Sequence, residues 1–86
     1  MHEMSVALEV CRIAEERLGR EALPSLRAVG LEVGDDAGIE LSSLSFCLET
    51  LLGVPPFAGA TPLIERRAGD VLRVSYLEID DGRPDD

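Results

Sequence analysis

Leu26-Arg27-Ala28-Val29-Gly30-Leu31-Glu32-Val33 sets Val29, Leu31 and Val33 in alternation with Ala28, Gly30 and Glu32. A period of two is that of a strand with one face buried. Pro24-Ser25 opens a turn just before it, and Gly34-Asp35-Asp36-Ala37-Gly38 ends it with two glycines and two acids. The loop so formed is expected to carry Asp35, Asp36 or Glu40 to the end of a sheet.

On both sides of this strand the period changes. Met4, Ala7, Leu8, Cys11, Ala14 and Leu18 recur at spacings of three and four, and Val6, Val10 and Ile13 widen the stripe. That spacing predicts a helix over 4–18 with a broad buried face, stopped by Gly19. A second stripe, Leu41, Leu44, Cys47, Leu48, Leu51 and Leu52, predicts a helix from 40 or 41 to 52, with Ser42 and Ser43 near its start and Gly53 at its end. Val54-Pro55-Pro56-Phe57-Ala58-Gly59 cannot continue a helix and reads as a stiff connection. Residues 61–67 read as a short strand, Ala68-Gly69-Asp70 as a turn and 71–79 as a third strand. In that third strand Leu72 and Val74 share one parity, Leu77 and Ile79 the other. Either a bulge sits near Ser75 and Tyr76 or both faces are covered.

The order α-β-α-β-β predicts an α+β fold with two helices on one face of a three-stranded mixed sheet. The helical crossover makes the first two strands parallel. The turn at Gly69 makes the third antiparallel to the second. The third strand is expected between the other two, a split β-α-β arrangement. The opposite sheet face is then open and partly apolar, a surface for a homodimer or another protein. At 86 residues the chain makes one domain, expected over 1–80, with 81–86 a loose acidic tail.

Composition narrows the partners. The net charge is −9, with eight arginines and no lysine. Such a surface repels phosphate backbones, which argues against nucleic acid and anionic membrane. No apolar run is long enough to span a bilayer and no signal peptide is present, so a cytoplasmic location is expected. Cys11 and Cys47 form no CxxC pair and are expected to pack as small buried hydrophobes. Nucleotide-binding glycine loops are absent, and a single histidine cannot build a His-based metal cluster, so an enzyme is not expected.

That histidine, His2, lies one peptide bond from the α-amine of Met1. The amine, the His2 amide once deprotonated and imidazole Nδ1 can close fused chelate rings on one metal, with Glu3 offering its amide or carboxylate as a fourth donor. This nitrogen set suits the tetragonal or square-planar field of Ni(II) or Cu(II) better than Zn(II). The plain alternative is a solvated, frayed terminus.

Met1-His2-Glu3-Met4-Ser5-Val6-Ala7, Leu31-Glu32-Val33-Gly34-Asp35 with Gly38-Ile39-Glu40 and Leu44-Ser45-Phe46, and Gly69-Asp70-Val71-Leu72-Arg73-Val74 with Leu77-Glu78-Ile79 occur in that order. In these stretches, covering nearly the whole chain, the sequence resembles the HypA/HybF family of nickel metallochaperones for hydrogenase and urease maturation. The resemblance implies His2 as the essential nickel ligand, Met1 and Glu3 as neighbouring donors, and Glu40 as an outer acid supporting them. It implies delivery to a hydrogenase large subunit, [NiFe] hydrogenase foremost, or to a nickel-maturation GTPase. Family members carry a zinc-binding module with two CxxC pairs between the second and third strands. Here Arg67 passes through Ala68-Gly69 directly into the third strand, so no structural zinc is expected. The competing expectation is an adaptor of hydrogenase assembly that keeps the fold and no longer carries metal.

Overall fold

The segment 26–33 becomes the central strand of the sheet, the most fully buried of the three. The structure is a computed structural model that describes residues 2–80. The amine of Met1 and the tail at 81–86 lie outside the described residues. Strand β1 (Leu26–Gly34) turns Leu26, Val29, Leu31 and Val33 into the main core, while Ala28 is buried on the other face. Gly30 is there for a steric reason. A Cβ at Gly30 would sit 2.1 Å from the Tyr76 ring, which lies across it.

Helix α1 (Glu3–Leu18) and helix α2 (Leu41–Leu52) cover the core side. Val6, Ala7, Val10 and Ala14 are the buried face of α1; Leu44, Leu48 and Leu52, one per turn, are that of α2. Burying each such leucine contributes roughly 1.5–3 kcal/mol relative to exposure. This is far more than the exposed ion pairs add, so the apolar seam holds the helices down. Gly19, at φ 80°, ends α1, and its amide donates to the Glu15 carbonyl. Arg20–Ser25 then forms a 3-10 helix that buries Leu23 completely, a core residue the turn-like composition of that segment conceals. Gly53 closes α2 in right-handed geometry and does not use the left-handed freedom of glycine.

Strands β2 (Thr61–Arg67) and β3 (Leu72–Ile79) complete the sheet, in the order β2-β1-β3. β1 pairs parallel with β2 and antiparallel with β3. The mixed sheet and the helical layer agree with the sequence reading, but the split β-α-β order does not, since β1 and not β3 is central. Nor is the turn at Gly69 a hairpin, because β2 and β3 never pair. Both corrections have one cause. β1 is the most fully buried of the three strands and gains most from the middle, whereas Glu65, Arg66, Arg67, Arg73 and Glu78 suit edge strands. Residues 68–71 must then cross the end of β1, two strand spacings or roughly 10 Å, which four residues can span.

The crossing is tied down by backbone bonds. The Gly34, Asp35 and Asp36 amides donate to the Val71, Arg67 and Gly69 carbonyls at 2.6, 2.8 and 2.7 Å. A Cβ at Gly34 would stand 2.1 Å from the Gly69 carbonyl oxygen. The change of parity in β3 is resolved as a bulge. Val74 opposes Leu31 and Tyr76 opposes Gly30, with Ser75 as the extra residue. Val74 and Leu77 therefore both reach the core side.

Candidate metal centre

Both helices start at one end of the sheet, where β1 and β2 finish. His2 is the N-cap residue of α1, extended at φ −82° and ψ 133°, and its carbonyl accepts from the Val6 amide at 3.2 Å. The sequence reading started the helix at residue 4, one residue later than Glu3. The difference places His2 directly on the rigid element. Its imidazole is exposed and makes no capping bond to the helix.

Glu3 is fixed by the second helix. The Glu40 backbone amide donates to Glu3 Oε2 at 2.9 Å across 37 positions of sequence. That bond is the main reason the Glu3 carboxyl is lowered from its ordinary pKa, with a bond from its own amide next. Glu3 is therefore a carboxylate at neutral pH, anchored through one oxygen.

Glu40 in turn is the N-cap of α2. Its side chain accepts from the Ser42 and Ser43 amides at 3.1 and 3.0 Å and from the Ser42 hydroxyl at 2.6 Å. The Ser42 hydroxyl, followed by the Ser43 and Ser42 amides, pulls the Glu40 carboxyl down to about 2. The two acids thus divide the work, Glu40 capping α2 with its side chain while its backbone holds Glu3. The sequence pattern pointed to the serines alone, since glutamate is an uncommon cap. The link between Glu3 and Glu40 leaves no local signal because it joins distant segments.

The loop after β1 brings Asp35 and Asp36 to this end of the sheet. Asp35 Oδ1 accepts from Arg66 at 2.9 Å, and both backbones grip the crossing strand connection. Glu32, further back on the open face, joins Arg73 at 2.7 Å and Arg67 at 3.3 Å. Its carboxyl is lowered, Arg73 being the first cause. Cys11 and Cys47 are free, half-buried thiols packed against the core, and burial pushes the Cys11 thiol up. A thiol so raised is a poor metal ligand at neutral pH.

Among the described residues no three His, Cys, Asp or Glu side chains are grouped to hold a metal. The first-turn amides of α1 have no intrahelical partner, and the helix dipole stabilises negative charge there. A deprotonated amide is such a charge.

A family model described as hydrogenase/urease nickel incorporation, metallochaperone, hypA, matches residues 1–74. The chain is 41% identical over 72 residues to a hydrogenase maturation factor HypA of Alkalilimnicola ehrlichii, spanning 84% of this chain and 64% of that one. To the HypA of Psychromonas ingrahamii it is 35% identical over 80 residues, 92% of this chain and 70% of that one. To the HypA of Polaromonas naphthalenivorans it is 38% identical over 69 residues, 80% and 60% of the two chains. The chain spans between 45% and 70% of the length of such curated relatives.

Proposed function

Because the chain belongs to the HypA family of nickel-incorporation metallochaperones, we propose that it holds Ni(II) at Met1-His2-Glu3 and delivers it to a maturing nickel enzyme. The observation that carries the reading is the seating of His2 at the start of α1, with Glu3 locked to the N-cap residue of α2. Two helix starts brace the tip, so the imidazole is presented from a fixed backbone.

In this reading nickel enters as cargo. It takes His2 Nδ1, the Met1 amine and the His2 amide nitrogen, and Glu3 adds its amide or its remaining carboxylate oxygen. Binding releases protons from the amine and from at least one amide. The α-amine has an unperturbed pKa near ~7.7–8.0, so affinity falls as pH drops through neutrality and the amine recaptures its proton. Release follows protonation or capture of the ion by the recipient. That recipient is a [NiFe] hydrogenase large subunit or a nickel-maturation GTPase, in the cytoplasm. Residues 68–71 join β2 to β3 at the same end of the sheet, and no cysteine lies in that connection.

Calorimetric titration of Ni(II) into the native-start protein tests the proposal. One-to-one binding that disappears in His2→Ala and after acetylation of the α-amine is expected. Unchanged binding in both variants refutes it. One observation favours a second reading, an adaptor of hydrogenase assembly without metal. Phe46 stands 69% exposed on the side of α2 away from the core. Absence of nickel binding, combined with loss of partner capture in Phe46→Ser, supports that second reading.

A further inference from the structure

β3 is an edge strand, and among the described residues nothing pairs with its outer side. Beside that edge lies a trough of about 340 Å³ between α1 and β3, walled by Val6, Val10 and Ile13 on the helix and by Leu72 and Val74 on the strand, with Leu31 as its floor. A trough in this position has the form left when a sheet lacks its next strand. The side chains that would fill it are those a fourth strand turns toward α1.

The sequence of β3 identifies that strand. Its pairing with β1 sets the order Leu72, Arg73, Val74, Tyr76, Leu77, Glu78, Ile79 along the edge, with Ser75 bulged out. A two-fold axis through Tyr76 then lays a second β3 antiparallel to the first. Leu72 falls opposite Ile79 of the second copy, Val74 opposite its Leu77, and Arg73 opposite its Glu78. The bulge makes this register consistent, because it returns Val74 and Leu77 to one face. Without the extra residue, those two would point to opposite faces and the pairing would fail.

The charges agree with the packing. Arg73 uses Nε to reach Glu32 at 2.7 Å, which leaves its terminal nitrogens for a second acid. Glu78 makes no ion pair among the described residues. Ile79 and Tyr76 are each 45% exposed, and the pairing covers both. Elsewhere a net charge of −9 per chain opposes self-association, so a face with its own matched charges is the favoured contact.

We propose that the outer edge of β3 is the interface of a symmetric antiparallel dimer of this chain, in which two sheets join as one six-stranded sheet and Leu77 and Ile79 of each copy fill the trough beside α1 of the other. The contact is isologous, so every pair occurs twice. It differs from a dimer through the open sheet face, which leaves the trough and the β3 edge unfilled.

Sedimentation velocity on the full native-start chain, without metal and at about 150 mM salt to screen the net repulsion, tests this. A concentration-dependent monomer–dimer equilibrium is expected. E78R places Arg against Arg73 at two positions per dimer and should weaken association roughly tenfold or more. R73E should do the same. An equimolar mixture of E78R and R73E restores both opposite-charge pairs and should recover a dimer that neither forms alone. Circular dichroism confirms that each variant is folded. A native chain that stays monomeric, a dimer indifferent to E78R, or a mixture no better than its components would each overturn the proposal.

Discussion

Gly34→Ala should be among the most damaging single-methyl changes in the chain. The new Cβ would stand 2.1 Å from the Gly69 carbonyl oxygen, 2.6 Å from the carbonyl carbon and 2.8 Å from the Val71 amide nitrogen, all backbone atoms of the connection that crosses β1. Relief requires that connection to lift. Lifting it breaks the bonds from Gly34, Asp35 and Asp36, which hold at 2.6, 2.8 and 2.7 Å. At about 1 kcal/mol net for each bond the loss is about 3 kcal/mol. The stiffer unfolded chain returns only ~0.4–1 kcal/mol, which does not offset it. For a domain of this size 1 kcal/mol shifts the midpoint by about 4–8 °C, so a fall of roughly 10–20 °C is expected after that offset. Gly30→Ala is the matched control. There the contact at 2.1 Å is the ring edge of Tyr76, a side chain that can swing away, so the change should cost clearly less. Urea and thermal denaturation of the two variants read the difference. If Gly34→Ala lies within ~0.5 kcal/mol of the parent, or is milder than Gly30→Ala, the crossing connection does not bear on stability as argued.

Other expectations follow from the same structure. Leu48→Ala, at a fully buried site on α2, should cost about 2–5 kcal/mol with an unchanged urea slope; a loss below ~1 kcal/mol would contradict the packing. Glu40 titrates at about 2 in the folded chain, below its unfolded value near ~4.3, so its contribution is complete above ~4.3 and is lost as pH falls toward 2. The Glu3 shift has the same sign. Thermal midpoints of Glu40→Gln should therefore lie below the parent above pH ~4.5 and converge with it near pH 2; parallel curves would refute the cap. Nickel affinity of the native-start protein should rise between pH 6.5 and 8.5, with proton release visible as a buffer-dependent binding enthalpy; a flat profile excludes the amine as a ligand. Glu3→Gln should leave the fold intact and weaken nickel retention, because an amide binds the Glu40 amide less well than a carboxylate does.

Local pattern was enough for what depends on near neighbours. The period of 3.6 in α1 and α2, the alternation in β1 and the bounds of α2 and β2 follow from which faces can be buried, and that is written in spacing alone. The bulge in β3 was half legible. The change of parity between Val74 and Leu77 demanded a bulge or two covered faces, and only the partner strand decides which. The 3-10 helix at Arg20–Ser25 escaped, since a lone leucine next to proline carries no period. The position of His2 before a helix was legible as well, and the family pattern in the opening residues pointed to the role proposed for it.

Tertiary structure alone decided two things. It put β1 in the centre, because strand order depends on how much apolar surface each strand can cover against the others, a comparison no single segment contains. It also joined Glu3 to the Glu40 amide, across 37 positions. That bond forms because the crossover returns the chain to the end of the sheet where both helices begin, and an unpaired amide there needs an acceptor. Sequence determines which groups can serve; the fold brings the carboxylate and the amide to within one hydrogen bond of each other.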